Sequence, residues 1–447
     1  MHSLRRSSLM AALITGSLLV AACGAAGSPS PPAESVAPSV APEITPPPAP
    51  GTLTVLSLWG GSERSNFLQV IDGFTTKTGI PVQYETARDF LPVIRTRLAA
   101  GNPPMVAIIP RPGVMVDLAR EGSIVPLDQL GITNMADNYS QAWLDLGTAE
   151  GKLYGIAVKA NSKSTVWYKP ESLKALGADI PKTWDEFSAL ADKYVAAGKT
   201  PFAVGSSQST WTLTDWFENI YVRTAGPDKY SELFGGKVAF NDQSVKDAVK
   251  RMTDLIAKPE NVAGGREGVL GTDFVGGIAR VFGANADAEM YYEGGFVGGI
   301  IKGEVNPSLE PVKDYAFFTF PEIDPAQGSP LIGGGDLAVA FQDNDLVRQF
   351  MAYLSTKDSA DIWASTGTIS PNKNTDASKY PNPLAVEEAK QVAGAAVFRF
   401  DGSDLLPGSL ADPWGGVLQG AIENPDNIDQ LLNDFEELAA NDPDFRK

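Results

Sequence analysis

The sequence predicts an α/β protein built as two lobes, and three observations predict it. At 447 residues the chain exceeds the size at which one hydrophobic core keeps growing. From Leu53 to Ile109, short apolar runs alternate with stretches of helical periodicity as β-α-β-α-β, the pattern of a parallel sheet covered on both faces. A second α/β run begins near Thr183, after two extended segments that read as a crossing between lobes. The 43% hydrophobic content supplies apolar material for two cores.

The chain opens with an address. Met1 to Ala22 sets Arg5 and Arg6 ahead of an apolar run from about Leu9 to Val20 and ends in small residues. That run is shorter than the ~20 residues of a spanning helix, so 1–22 reads as a secretory signal. Leu19-Val20-Ala21-Ala22-Cys23-Gly24 resembles a bacterial lipobox, which implies acylation of Cys23 and a membrane anchor there. The alternative is ordinary cleavage near Ala22 with an incidental cysteine; the lack of any other cysteine favours the lipobox. Gly24 to Pro50 contains nine prolines and no apolar periodicity, so 23–50 reads as a lipidated cysteine and an extended linker. At ~3.1 Å per residue the linker reaches roughly 80 Å.

The folded body follows. Leu53 to Leu58 is a buried strand ending in Trp59-Gly60-Gly61. Phe67, Val70, Ile71 and Phe74 recur at helical spacing up to Gly79, Pro81 to Glu85 is a strand, and Asp89 caps a helix carrying Phe90, Val93, Ile94 and Leu98. Met105 to Ile109 is a third strand, followed by a Pro110-Arg111-Pro112-Gly113 loop. The three strand-end loops lie side by side, on the edge where open α/β sheets bind ligands. Leu153 to Lys159 and Ser164 to Tyr168 are extended, with polar Ala160 to Lys163 between them. Thr183-Trp184-Asp185-Glu186 is a capping box, Pro201 to Gly205 a strand, and Leu213 to Arg223 and Val245 to Ile256 are helices. The glycines dense between Gly264 and Gly303 read as tight loops near a cleft, and Gly333-Gly334-Gly335 as a glycine joint, a hinge or a second crossing between lobes, feeding a strand through Phe341. Helices follow from about Asp345 to Ser355, near Trp414, and from Ile428 to Leu438.

Charge and missing side chains exclude whole classes of function. Net charge is -18, and Arg5 and Arg6 cancel Glu34 and Glu43, so the body carries the deficit. Such a surface repels phosphate backbones and anionic headgroups, which argues against nucleic-acid binding. The single histidine is His2 and the single cysteine Cys23. A processed body would contain neither, which removes Ser-His-Asp and Cys-His catalysis, imidazole or thiolate metal sites and disulfides. No cofactor and no metal are expected, and no nucleotide cradle motif stands in the chain.

Several motifs then carry a resemblance: Leu58-Trp59-Gly60-Gly61-Ser62-Glu63, Tyr154-Gly155 with Lys159-Ala160-Asn161, Thr183 to Phe187, Leu213-Thr214-Asp215-Trp216, Met290 to Gly294, and Ile369-Ser370-Pro371-Asn372. Taken in order over residues 52–440, they make the chain similar to the extracellular solute-binding proteins of carbohydrate importers, nearest the α-glucoside-binding type. The resemblance implies a class II periplasmic-binding-protein-like fold with several interlobe crossings: one lobe from 51–159 with 331–370, the other from 160–330 with 371–447. It also implies a monomeric, non-enzymatic receptor outside the cell that closes over a sugar and delivers it to transmembrane permease subunits.

A sugar needs polar partners for its hydroxyls and rings for its C–H faces. The aromatic candidates are Trp59, Trp211, Trp216, Tyr292 and Trp414. The polar ones are Glu63, Arg88, Asp89, Arg111, Lys159, Glu293, Asp336 and Asp404. Trp59→Ala is expected to weaken binding while leaving thermal stability nearly unchanged. The rivals are a cell-surface glycoside hydrolase using a carboxylate pair, an anchored adhesion protein, and the same fold reading an anionic sugar through Arg111.

Overall fold

Residues 49–87 and 90–446 are described by the computed structural model of the protein. Two separate hydrophobic cores organise them, and the element pattern of the sequence explains each.

The first core forms around Leu53–Ser57, which pairs in parallel with Val82–Thr86 on one side and Val106–Ile109 on the other. The periodic Phe67, Val70, Ile71 and Phe74 are the buried face of the helix Gly61–Thr78, which Gly79 closes in the left-handed conformation. Phe90–Ala99 is helical as the periodicity predicts; its expected cap, Asp89, lies outside the described residues. The segment after the third strand is not a plain loop. Pro112 occupies the first turn of a helix, Pro112–Arg120, where its missing N–H costs nothing. Leu337 to Ala340 and the helices Asp345–Leu354 and Lys357–Ser365 complete this core.

The second core surrounds a sheet ordered Ala316–Thr319, Thr165–Tyr168, Met290–Glu293, Phe202–Ala203. Thr183 and Glu186 form the capping box of the helix Trp184–Ala196. Trp211–Thr224, Gln243–Ile256, Gly408–Glu423 and Ile428–Ala440 pack around it. The glycine-dense stretch departs from expectation: Gly265–Gly271 and Phe274–Phe282 are helices.

Two long strands pass between the cores. Gly155–Ser162 and Leu331–Ala340 run antiparallel to each other. Ile156 to Val158 and Leu337 to Ala340 pack in the first core, whereas Val166 and Ile332 pack in the second. Gly333, Gly334 and Gly335 are therefore ladder-paired residues of a crossing strand, the second of the two readings their sequence allowed. A Cβ at Gly335 would sit 2.6 Å from the Lys159 carbonyl oxygen and 2.7 Å from the Trp143 ring, so the close approach of the chains requires glycine there. A third passage leaves the first strand pair at a bridge between Ala160 and Ile369 and reaches the second core at Leu384.

Candidate functional site

The parallel strands of the first lobe and the crossing strands aim their polar ends at the same cleft. A chamber of about 170 Å³ lies there, walled by Trp59, Pro110 and Arg111 from the strand ends, by Glu63 from the first turn of the helix Gly61–Thr78, by Lys159, Asn161 and Asp336 from the crossing strands and by Lys163 just past one of them. Trp211, Phe274, Phe296 and Asp404 close it from the second lobe. A wider space of about 720 Å³ adjoins it, sharing Phe90, Arg111, Trp211 and Phe274 and extending to Gln208, Glu304 and Asp412.

Its polar groups form two connected sets, each built around a buried lysine. Lys159 contacts the Glu63 carboxylate and lies 3.6 Å from Asp336 Oδ2, which also accepts a 3.1 Å hydrogen bond from Trp59 Nε1. Burial pushes the Lys159 ammonium down, but Glu63 and Asp336 outweigh it and hold it above its ordinary range. The second lysine, Lys163, contacts Asp401 and lies 3.2 Å from Asp215 Oδ1 and 3.6 Å from Asp404 Oδ2. Arg111 then ties Asp404 (3.6 Å) and Asp412 (2.8 Å) to the first lobe. Burial and the neighbouring Asp401 push Asp404 up to about 7, against the opposing pull of Lys163 and Arg111. Asp401 goes the other way: burial raises it, but Lys163 and its hydrogen bonds prevail and hold it below the ordinary carboxylate range.

Of the residues expected from sequence, Trp59, Glu63, Arg111, Lys159, Trp211, Asp336 and Asp404 wall the chamber. Arg88 and Asp89 lie outside the described residues, as does Cys23. Three aromatic candidates are placed elsewhere. Trp216 packs between Phe187, Phe202 and Phe320, and Trp414 between Phe217, Phe240 and Phe435, both within the second core. Tyr292 sits 4.6 Å from the Trp216 ring and donates from its hydroxyl to the Lys163 and Asp215 carbonyls. These rings sit on the inward faces of a helix or strand already committed to the core, which their spacing alone does not reveal. Glu293 is fully buried at the end of the strand Met290–Glu293 and does not line the chamber; burial pushes it up to about 8.

Asn161, Lys163 and Phe296 were not singled out by sequence reasoning. A signal existed for Asn161, which alternates with Lys159 along the strand Gly155–Ser162, so choosing the first implied the second on its face; Lys163 lies just past the end of that strand. Phe296 follows Gly294-Gly295 at a strand end, the mirror of Trp59 before its two glycines.

Trp59 is at once floor and core, at 1% exposure with ring centroids 5.0 Å from Phe67 and 5.2 Å from Trp363. Trp59→Ala therefore costs stability as well as any contact with a ligand, contrary to the expectation from sequence. A loss of about 3–5 kcal/mol is expected in chemical denaturation, and a variant as stable as wild type would contradict this packing.

Every carboxylate of the chamber wall faces a cation, and each cation faces two or more carboxylates. Such a set offers paired donors and acceptors with two broad rings, suited to holding a hydroxylated molecule. Among the described residues no cluster of acids, histidines or cysteines has a metal-binding arrangement, and no helix is long and apolar enough to cross a membrane.

Comparisons with known proteins agree with this architecture. The osmoprotective compounds-binding protein GgtB of Synechocystis sp. is 34% identical over 391 residues, spanning 86% of this chain and 91% of that one. The alpha-glucosides-binding periplasmic protein AglE of Rhizobium meliloti is 31% identical over 387 residues, 82% of each chain. In three dimensions the bacterial solute receptor AcbH superposes with a TM-score of 0.77 at 18% identity, over 88% of this chain and 99% of that one, which identifies the two-lobe fold. The family model for bacterial extracellular solute-binding proteins matches residues 60–361. With its two cores, crossing strands and interlobe chamber, the chain belongs to the bacterial extracellular solute-binding protein family, whose members bind solutes and do not transform them.

Proposed function

We propose that this protein captures a neutral sugar, an α-glucoside or another oligosaccharide, in the chamber between its lobes and delivers it to the transmembrane subunits of an ATP-driven importer. In this reading it works as a monomer on the outer face of the cytoplasmic membrane, held by acylated Cys23 and the proline-rich linker, with lobes of 51–159 plus 331–370 and 160–330 plus 371–447. The observation that carries it is the chamber wall, where Trp59, Trp211 and Phe296 stand among fully paired ionic side chains from both lobes. A ligand touching both lobes favours the closed arrangement by its extra contacts there. The relative named for α-glucosides supports this ligand class.

The ion pairs also bear on ligand charge. Arg111 is engaged by Asp404 and Asp412, and Lys159 by Glu63 and Asp336. An anionic sugar would find no cation unengaged and would enter among acids that burial already drives toward protonation. Calorimetric titration of maltose, sucrose and trehalose against glucose 6-phosphate and glucuronate tests the proposal. At least one neutral sugar is expected to bind, and the anionic analogues to bind at least about 100-fold more weakly. Preferred binding of an anionic analogue, or none of any sugar, would overturn it.

A further inference from the structure

The helix Trp211–Thr224 sets Trp211 in the chamber wall and, one and two turns further on, buries Asp215 and Glu218 completely. Spacing of i, i+4 and i+7 puts the three on one face. Asp215 answers Lys163, but Glu218 lines neither cleft space and is held by backbone donors instead. Its Oε2 accepts from the Gly402 amide (2.7 Å) and from the Tyr230 hydroxyl, and its Oε1 from the Ser403 amide (2.9 Å). The same hydroxyl stands 3.0 Å from the Phe400 carbonyl oxygen and also accepts from the Gly402 amide (2.7 Å). The segment held in this way carries two acids of the cleft. Asp401 contacts Lys163, and Asp404 lies 3.6 Å from both Lys163 Nζ and Arg111 Nε. Within the segment Asp401 Oδ1 accepts from the Ser403 hydroxyl (2.8 Å) and the Asp404 amide (3.1 Å), and Ser403 Oγ lies 3.0 Å from Thr214 Oγ1 on the same helix.

We propose that Glu218 is a positioning residue of the binding site: its carboxylate fixes the segment 400–404 so that Asp404 is presented to Lys163, Arg111 and the ligand. The proposal rests on the reading of the chamber as a sugar site and adds to it a residue that the ligand never touches. A buried carboxyl is costly, and an apolar side chain of similar volume at a site of this kind is often as stable or more so. What the carboxylate does here that an apolar group cannot is engage two consecutive amides and a hydroxyl at once. A short polar segment such as Asp401-Gly402-Ser403-Asp404 would otherwise sample many backbone conformations, and ordering it at the moment of binding would subtract from affinity. Held from the helix that also supplies Trp211 and Asp215, Asp404 is in place before the ligand arrives.

Hydrogen–deuterium exchange, read by mass spectrometry on the ligand-free full chain, tests whether Glu218 holds the segment. In Glu218→Gln one of the converging donors faces an amide N–H, and the peptide spanning 400–406 is expected to exchange at least about tenfold faster. The strands Thr165–Tyr168 and Met290–Glu293 should stay as slow as in wild type. Tyr230→Phe removes a single hydroxyl and should act in the same direction by about threefold; it decides the matter should Glu218→Gln not fold. Calorimetry, with whichever of maltose, sucrose and trehalose the wild type binds, tests the consequence. Glu218→Gln should weaken affinity at least about tenfold, but by no more than about threefold in a chain already carrying Asp404→Asn, because the effect passes through Asp404. Equal weakening in both backgrounds or wild-type exchange of the 400–406 peptide would overturn the assignment. So would faster exchange across the whole second lobe, which marks a side chain that only stabilises the fold. If no neutral sugar binds the wild type, the importer reading fails by itself, and the exchange experiment, which needs no ligand, decides whether Glu218 holds Asp404 in place.

Discussion

Lys163→Met is expected to cost about 3–5 kcal/mol at pH 8. Lys163 is the cation facing Asp215, Asp401 and Asp404, all of them buried. Methionine fits the aliphatic volume but leaves Asp215 and Asp401 without a counter-charge in a buried site, and Asp404 with Arg111 alone. Those acids then respond by taking up protons, so the loss should shrink steadily toward pH 5.

The wild-type protein should already slope in that direction. Burial raises Glu293 to about 8, Glu388 and Asp404 to about 7, and Asp215 well above its ordinary value. Groups raised on folding contribute stability that is complete below their unfolded values, near pH 4, and lost as the pH climbs through 7 and 8. Acids held low, such as Asp401 and Asp242, lose their contribution only below about pH 4. Melting temperature should therefore fall from pH 5 to pH 8 in wild type and fall more steeply in Lys163→Met. Parallel slopes for the two proteins would mean that Lys163 does not compensate these acids.

The origin of this cluster also marks what a sequence discloses. The parallel β-α-β-α-β unit of the first lobe was legible because Val55, Leu56 and Val106 to Ile109 are continuous apolar runs bounded by turn residues, a local signal. The cleft edge was legible for the same reason, since Trp59 and Arg111 stand at strand ends. Lys163 was not, because its partners Asp215, Asp401 and Asp404 come from a helix and a late loop up to 241 residues away in the chain, and only the third passage between lobes brings them together. Trp216 and Trp414 show the converse failure. A tryptophan has the same letter whether its ring lines a chamber or fills a core, and the face of a helix on which it lies is decided by neighbours that the local pattern does not name.

Disconnecting Glu304 from Ser62 is expected to open the lobes. Glu304 belongs to the second lobe, on an irregular helical turn, Ile301–Val305, just beyond Phe296. Its Oε1 accepts hydrogen bonds of 2.9 Å from both the amide and the hydroxyl of Ser62, at the start of the first lobe's helix Gly61–Thr78. That helix has no side-chain cap of its own, because Gly60 occupies the cap position. The carboxylate therefore caps the helix from across the cleft, where the amides and the helix dipole favour negative charge. Gly61 permits the approach: its φ is +51°, and any side chain would collide with the Glu304 carboxyl. Glu304 lies between two spaces of the cleft, one of about 390 Å³ bordered by Ser62 and Gly303 and the wider one of about 720 Å³ bordered by Glu304 itself. Because the only native cysteine is Cys23, a Cys23→Ser chain with cysteines at exposed Asp72 and Asp247, one per lobe, takes spin labels at defined positions. Pulsed electron resonance should show Glu304→Ala shifting population from the short to the long interlobe distance by about three- to tenfold. Gly61→Ala should shift it too, and by less when Glu304 is already alanine, since the collision then has no partner. Unchanged distances in Glu304→Ala would show that the contact follows closure without holding it.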